Sequence, residues 1–110
     1  MKKAIRLASR DNVATLLSDA EKNDWVEVID ENRIAIGKFM ALQPIPSGNK
    51  IALSNIGEQK EIYKAGYPVG HSIKLIEAGD LVHVQNVRSS RVDIPEPIIN
   101  QIIQQMQIEC

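Results

Sequence analysis

The sequence predicts a small, mainly β domain of short strands and tight turns, closed by one C-terminal helix. Three observations lead there: a window that recurs three times, turn-forming residues scattered between short alternating runs, and a tail whose apolar residues change to a helical period. At 110 residues, with 44% hydrophobic and 25% charged residues, the chain has the size and balance of one globular domain. Aromatic residues are only 4%, so the core is expected to be Ile, Val, Leu and Ala, a palette that suits packed sheets.

The recurring windows are residues 18–28 (SDAEKNDWVEV), 54–64 (SNIGEQKEIYK) and 74–84 (KLIEAGDLVHV). In each, a small or apolar residue (Ala20, Ile56, Ile76) precedes a polar turn, and alternating residues follow it. Val26 with Val28, then Ile62, then Val82 with Val84, would turn one strand face to a core and leave the other in water. Gly79 stands where a left-handed backbone is often needed, and Asn23 is a common substitute for glycine there.

Further strands are expected at residues 4–7, 33–39 and 50–53, and one helical turn at residues 12–17 with Asp11 as its N-cap. Turn residues fill 30–32 and 47–49, while Pro44, Pro46 and Pro68 discourage central strands nearby. We place the β domain at residues 1–92 and the helical tail at 93–110. Pro95-Glu96-Pro97 can open a helix on which Ile98, Ile99, Ile102, Ile103 and Met106 share a face, with Asn100, Gln101, Gln104, Gln105 and Gln107 opposite. That face suits either packing on its own sheet or docking on a partner.

The formal net charge of −1, with basic residues dispersed, lacks the footprint of a nucleic-acid binder. No apolar run of signal-peptide or membrane-span length occurs, and the lone cysteine, Cys110, fits a reducing compartment, so a cytoplasmic location is expected. No nucleophile elbow is present, and the glycines are too widely spaced for phosphate or dinucleotide loops.

The polar cluster that stands out is Val82-His83-Val84-Gln85-Asn86. Read as a strand with Val82 and Val84 inward, it places His83 and Gln85 on one face with Asn86 at the end. An imidazole and two amides there could bind a carboxylate or hydroxyls, and His83 could move a proton near neutral pH. The plainer reading is a solvated strand face. Lys50 and Lys64 are candidate carboxylate partners, and Arg88 and Arg91 could offer forked contacts, though each is also an ordinary surface residue.

The runs IPSGNKIALSNI (45–56), IYKAGYPVG (62–70) and IEAGDLVHVQNVRSSR (76–91), preceded by AIRL (4–7) and DNVA (11–14), add a second kind of information. Together they resemble the small SAF-type domain of altronate and galactarate dehydratases and the small subunit of sulfolactate sulfo-lyase. The resemblance implies a β-clip (antifreeze-like) fold and the small subunit of a sugar-acid hydro-lyase, not catalytic alone. A large catalytic subunit would be its partner, since the sequence given ends where the family's separate small subunits do.

It further implies His83 in a catalytic role, with Lys50, Gln85, Asn86 and Arg88 binding substrate and any divalent metal held mainly by the partner. Three positions depart from the family pattern. Asn49 replaces a histidine, Ala65 a tyrosine and Gln85 a histidine, each removing a titratable group. The competing expectation is a non-catalytic carboxylate-binding or assembly module, with self-association through the tail.

Overall fold

The computed structural model describes residues 1–109; Cys110 lies outside them. Among the described residues the chain runs β1 (Lys2–Ile5), β2 (Val13–Leu16), β3 (Trp25–Ile29), β4 (Ala35–Met40), β5 (Lys50–Ala52), β6 (Glu61–Lys64), β7 (Tyr67–Ser72), β8 (Leu81–Val82), β9 (Val87–Ser89) and α1 (Glu96–Met106). Six strands form one sheet in the order β4-β3-β1-β2-β5-β8, and three form a second in the order β6-β7-β9. β1 pairs parallel with β3, and the other named pairs are antiparallel. This is the mainly β, helix-closed architecture expected of a SAF-type β-clip.

The repeat seen in sequence is the organising unit, and the structure adds a fourth copy. Residues 17–25 (LSDAEKNDW), 42–50 (LQPIPSGNK), 53–61 (LSNIGEQKE) and 73–81 (IKLIEAGDL) share one backbone course of bend, bridge, turn and strand start. The fourth residue of each copy, Ala20, Ile45, Ile56 or Ile76, is buried, and these pair as bridges, Ala20 with Ile45 and Ile56 with Ile76. The seventh has positive φ throughout: Asn23 at 73°, Gly48 at 84°, Gln59 at 61° and Gly79 at 96°. Pro44 and Pro46, on either side of the buried fourth residue and ahead of the turn, hid the second copy by making its sequence unlike the others.

Only Gly79 is required by space as well as by φ. A Cβ there would sit 2.1 Å from the Met40 carbonyl oxygen, whereas one at Gly48 would meet nothing.

The turns close with local side chains where they can. The carboxylates of Asp24 and Asp80 accept from the Glu21 and Glu77 N–H groups, as Asx turns do. The third copy has Lys60 at that place and no acceptor of its own. Ser72, fully buried on the neighbouring strand, closes that turn differently: its Oγ accepts from the Lys60 N–H and donates to the Gly57 carbonyl, bridging the two backbone groups that bond directly in the Asp24 and Asp80 turns.

Two apolar clusters result. One joins Ala4, Leu16, Val26, Val28, Ile45, Ile51 and Leu81, and the other joins Val13, Ala52, Ile56, Ile62, Ile76 and Val82.

The expected helical turn at residues 12–17 is instead strand β2. Asp11 caps no helix. Its carboxylate accepts from the N–H groups of Ala8, Ala65 and Gly66, clamping the β6–β7 turn to the first sheet. Asn12 adds two bonds to β6, accepting from the Tyr63 N–H and donating to the Glu61 carbonyl. With Val13, Ala14 and Leu16 all buried between β1 and β5, tertiary pairing overrides the local cap signal.

The tail packs on its own body. Ile103, Met106 and Ile108 join the first cluster and Ile99 is 2% exposed, while Ile98 points outward. Ile99, Ile103 and Met106 thus pack within the chain, and Ile98 is left exposed.

Candidate functional site

Where the two sheets meet they leave an open cleft of about 800 Å³. Its floor comes from strand ends that the turn units deliver: Lys50 opens β5 opposite Val82, Lys64 ends β6, and His71 on β7 stands across from Arg88 on β9. Its rim is residues 89–94, and Ile99 of α1 closes one side. Lys50, Lys64, Arg88 and Arg91 line it with His71 and His83, against one lining carboxylate, Asp93. Cations outnumber acids there although the whole chain carries −1.

His83 reaches this cleft by a route different from the expected one. The strand stops at Val82, and residues 83–86 form a turn. The turn is built by the residues taken as ligands. The Asn86 side-chain oxygen accepts from the His83 N–H, and the amides of Gln85 and Asn86 both donate to the Leu81 carbonyl. Each amide is buried, and these bonds fix the turn, while the Gln85 side-chain oxygen has no hydrogen-bond partner among the described residues.

The expectation that His83 and Gln85 share a strand face is therefore corrected. His83, Lys50 and Arg88 are brought together, with Lys64 beside them, whereas Gln85 and Asn86 face a separate, smaller cleft with Gln43, Lys74 and Asp80. None of the three departures from the family pattern, Asn49, Ala65 or Gln85, lines the larger cleft.

Burial is the main reason that Lys50 titrates below its ordinary 10.5, and the neighbouring Lys64 charge adds to it. His83 is pushed below 6.5, again chiefly by burial and then by Lys50. At pH 7 the imidazole is therefore mainly neutral, next to ammonium groups that pair with no carboxylate among the described residues. Such a site favours an anion, which would relieve the repulsion among the lysines.

Arg88 is committed elsewhere. One terminal nitrogen donates to the Val84 and Val87 carbonyls, and the other pairs at 3.3 Å with Glu96 on α1. Among the described residues no group of three or more His, Cys, Asp or Glu is placed to hold a metal ion. His71 was not singled out from the sequence. Its only signal was the alternation that puts Val69 and His71 on one face of β7, toward the cleft.

Residues 2–90 match the family model described as the altronate/galactarate dehydratase SAF domain. The chain belongs to that family. It is 34% identical over 95 residues to the altronate dehydratase of Bacillus subtilis (strain 168), covering 86% of this chain and 18% of that protein. The altronate dehydratase of Escherichia coli (strain K12) is 30% identical over 92 residues, which cover 84% of this chain and 17% of the relative. Subunit alpha of (2R)-sulfolactate sulfo-lyase from Chromohalobacter salexigens is 31% identical over 64 residues, 58% of this chain and 66% of that subunit. This SAF-family chain thus spans less than a fifth of the two dehydratases. Its cleft residues from Lys50 to Ser90 lie inside the family match, and the tail from Arg91 onward lies outside it.

Proposed function

We propose that this SAF domain, residues 1–92, forms one wall of a sugar-acid pocket and acts with a large catalytic subunit as a hydro-lyase. The observation that carries the reading is the convergence of Lys50, Lys64 and a neutral His83 in one cleft. The reaction takes a proton from the carbon next to the carboxylate and expels the hydroxyl from the following carbon as water. The resulting enol then becomes a 2-keto-3-deoxy acid. Lys50 and Lys64 hold the carboxylate and steady the charge that grows on it as the proton leaves. His83, unprotonated at pH 7, relays a proton. Gln85 and Asn86 act through the turn that presents His83. Any divalent metal in this chemistry would be held mainly by the partner.

The direct test is to assay the large subunit with altronate, galactarate and sulfolactate, with and without this chain. Turnover that depends on the chain, and falls at least tenfold with Lys50→Met, is the expected result. Equal turnover with and without it overturns the reading. A carboxylate-binding module without catalytic duty is the second reading. The commitment of Arg88 to Glu96, which removes one substrate-binding group, favours it. Binding of acids by the chain with no effect on the partner's turnover would select it.

A further inference from the structure

The tail contributes a carboxylate to the cleft's own arginine. Arg88 turns one terminal nitrogen inward to the Val84 and Val87 carbonyls, and Glu96 takes the other at 3.3 Å, so both terminal nitrogens of the guanidinium are engaged. The contact is held in place rather than incidental. Glu96 opens α1, where the helix dipole favours a negative charge, and Ile99, one turn on, is buried against the cleft wall. Between strand and helix, residues 89–94 line the cleft, and the last of them, Asp93 and Ile94, belong to the tail.

The charges therefore divide into two places. Among the described residues, Lys50 and Lys64 on the floor have no carboxylate within ion-pair distance, while Arg88 at the edge is paired with Glu96. A hydroxy acid with one carboxylate finds a vacant pair of ammonium groups. A diacid that spans the cleft must bring its second carboxylate to an arginine that Glu96 occupies, and its approach is further opposed by Asp93. The residues responsible, Asp93 and Glu96, lie beyond residues 2–90 that match the family model.

We infer that Glu96 sets the substrate class at this site: by occupying Arg88 it admits acids with one carboxylate and discriminates against those with two. The inference rests on the sugar-acid reading above. Glu96 is a specificity-determining residue and takes no part in proton transfer. Its side chain is 70% exposed, so Glu96→Gln keeps the helix and the fold while removing the charge.

The test is an isothermal and NMR titration of the full chain and of Glu96→Gln with gluconate, an aldonate, and galactarate, an aldarate. The unmodified chain is expected to prefer the aldonate. Glu96→Gln should tighten the aldarate by about three- to fivefold, the scale of an exposed ion pair, and leave the aldonate within about twofold. Equal changes for both acids, or none, overturn the inference alone. No saturable shift at cleft residues with either acid, in either protein, overturns the sugar-acid reading and this inference with it.

Discussion

The turn units at 17–25 and 42–50 and those at 53–61 and 73–81 follow one backbone plan, yet they deliver different goods. The first pair feeds the six-stranded sheet and its apolar cluster, and supplies the cleft with Lys50 alone. Out of the second pair come Lys64 and His83, with His71 on the strand between them. What the repeat prescribes is a left-handed seventh residue and a buried fourth. The side chains just past each unit are left open to chemistry, which is why function collects at strand exits while the turns themselves stay structural.

The comparison breaks most severely at the two turn glycines. Gly79→Ala should cost about 3 kcal/mol or more, from a left-handed alanine plus a Cβ driven into the Met40 carbonyl. Gly48→Ala, with open space at the same repeat position, should cost about 1–2 kcal/mol. Urea unfolding of both variants measures the difference, and equal losses would deny that close packing distinguishes the two halves.

A smaller loss is expected from Ser72→Ala, about 2 kcal/mol, because it leaves the Lys60 N–H without its side-chain acceptor and the Gly57 carbonyl without its donor. Adding Lys60→Asp should restore part of this by giving the third copy the same carboxylate closure that Asp24 and Asp80 provide. Unfolding midpoints of the single and double variants decide it, and an unrescued double variant would mean the third turn is not equivalent to the others.

The mildest effect is on pH. Folded His83 binds its proton more weakly than the unfolded chain does, so as pH falls through about 6.5 the unfolded state takes up the proton first. Stability should therefore decline from about pH 6.5 downward until the folded value is passed. His83→Gln should flatten that part of the profile, as read by thermal denaturation across pH. Lys50 acts in the same sense at alkaline pH, where stability should rise with pH up to about 10.5.

Much of the fold was legible because the turn units carry their own chemistry. Asn23 and Gly79 mark left-handed backbone and Ala20, Ile56 and Ile76 mark buried bridges, all within nine-residue stretches. The second copy escaped because Pro44 and Pro46, on either side of Ile45, make its approach to the turn unlike the others, although Gly48 signalled it. Strand β2 was hidden for a different reason. Asp11 looks like a helix cap locally, and only the fold brings Ala65 and Gly66 to its carboxylate.

In the site, Lys50, His83 and Arg88 were chosen for their chemistry and do meet. Gln85 and Asn86 were misplaced because period-two alternation cannot reveal that an asparagine side chain ends the strand by bonding the backbone three residues earlier. The Arg88 contact with Glu96 depends on where the tail docks, and no local pattern encodes that.

The central claim is that the cleft between the sheets, and not the smaller one beside Gln85, receives a carboxylate. The most direct measurement is an NMR pH titration of the His83 imidazole with and without saturating altronate. His83 should titrate higher with altronate bound, because the anion neutralises the lysine charge that helps hold it down. An unchanged or lowered His83 titration, with altronate-induced shifts gathered instead around Gln43, Lys74 and Gln85, would contradict it.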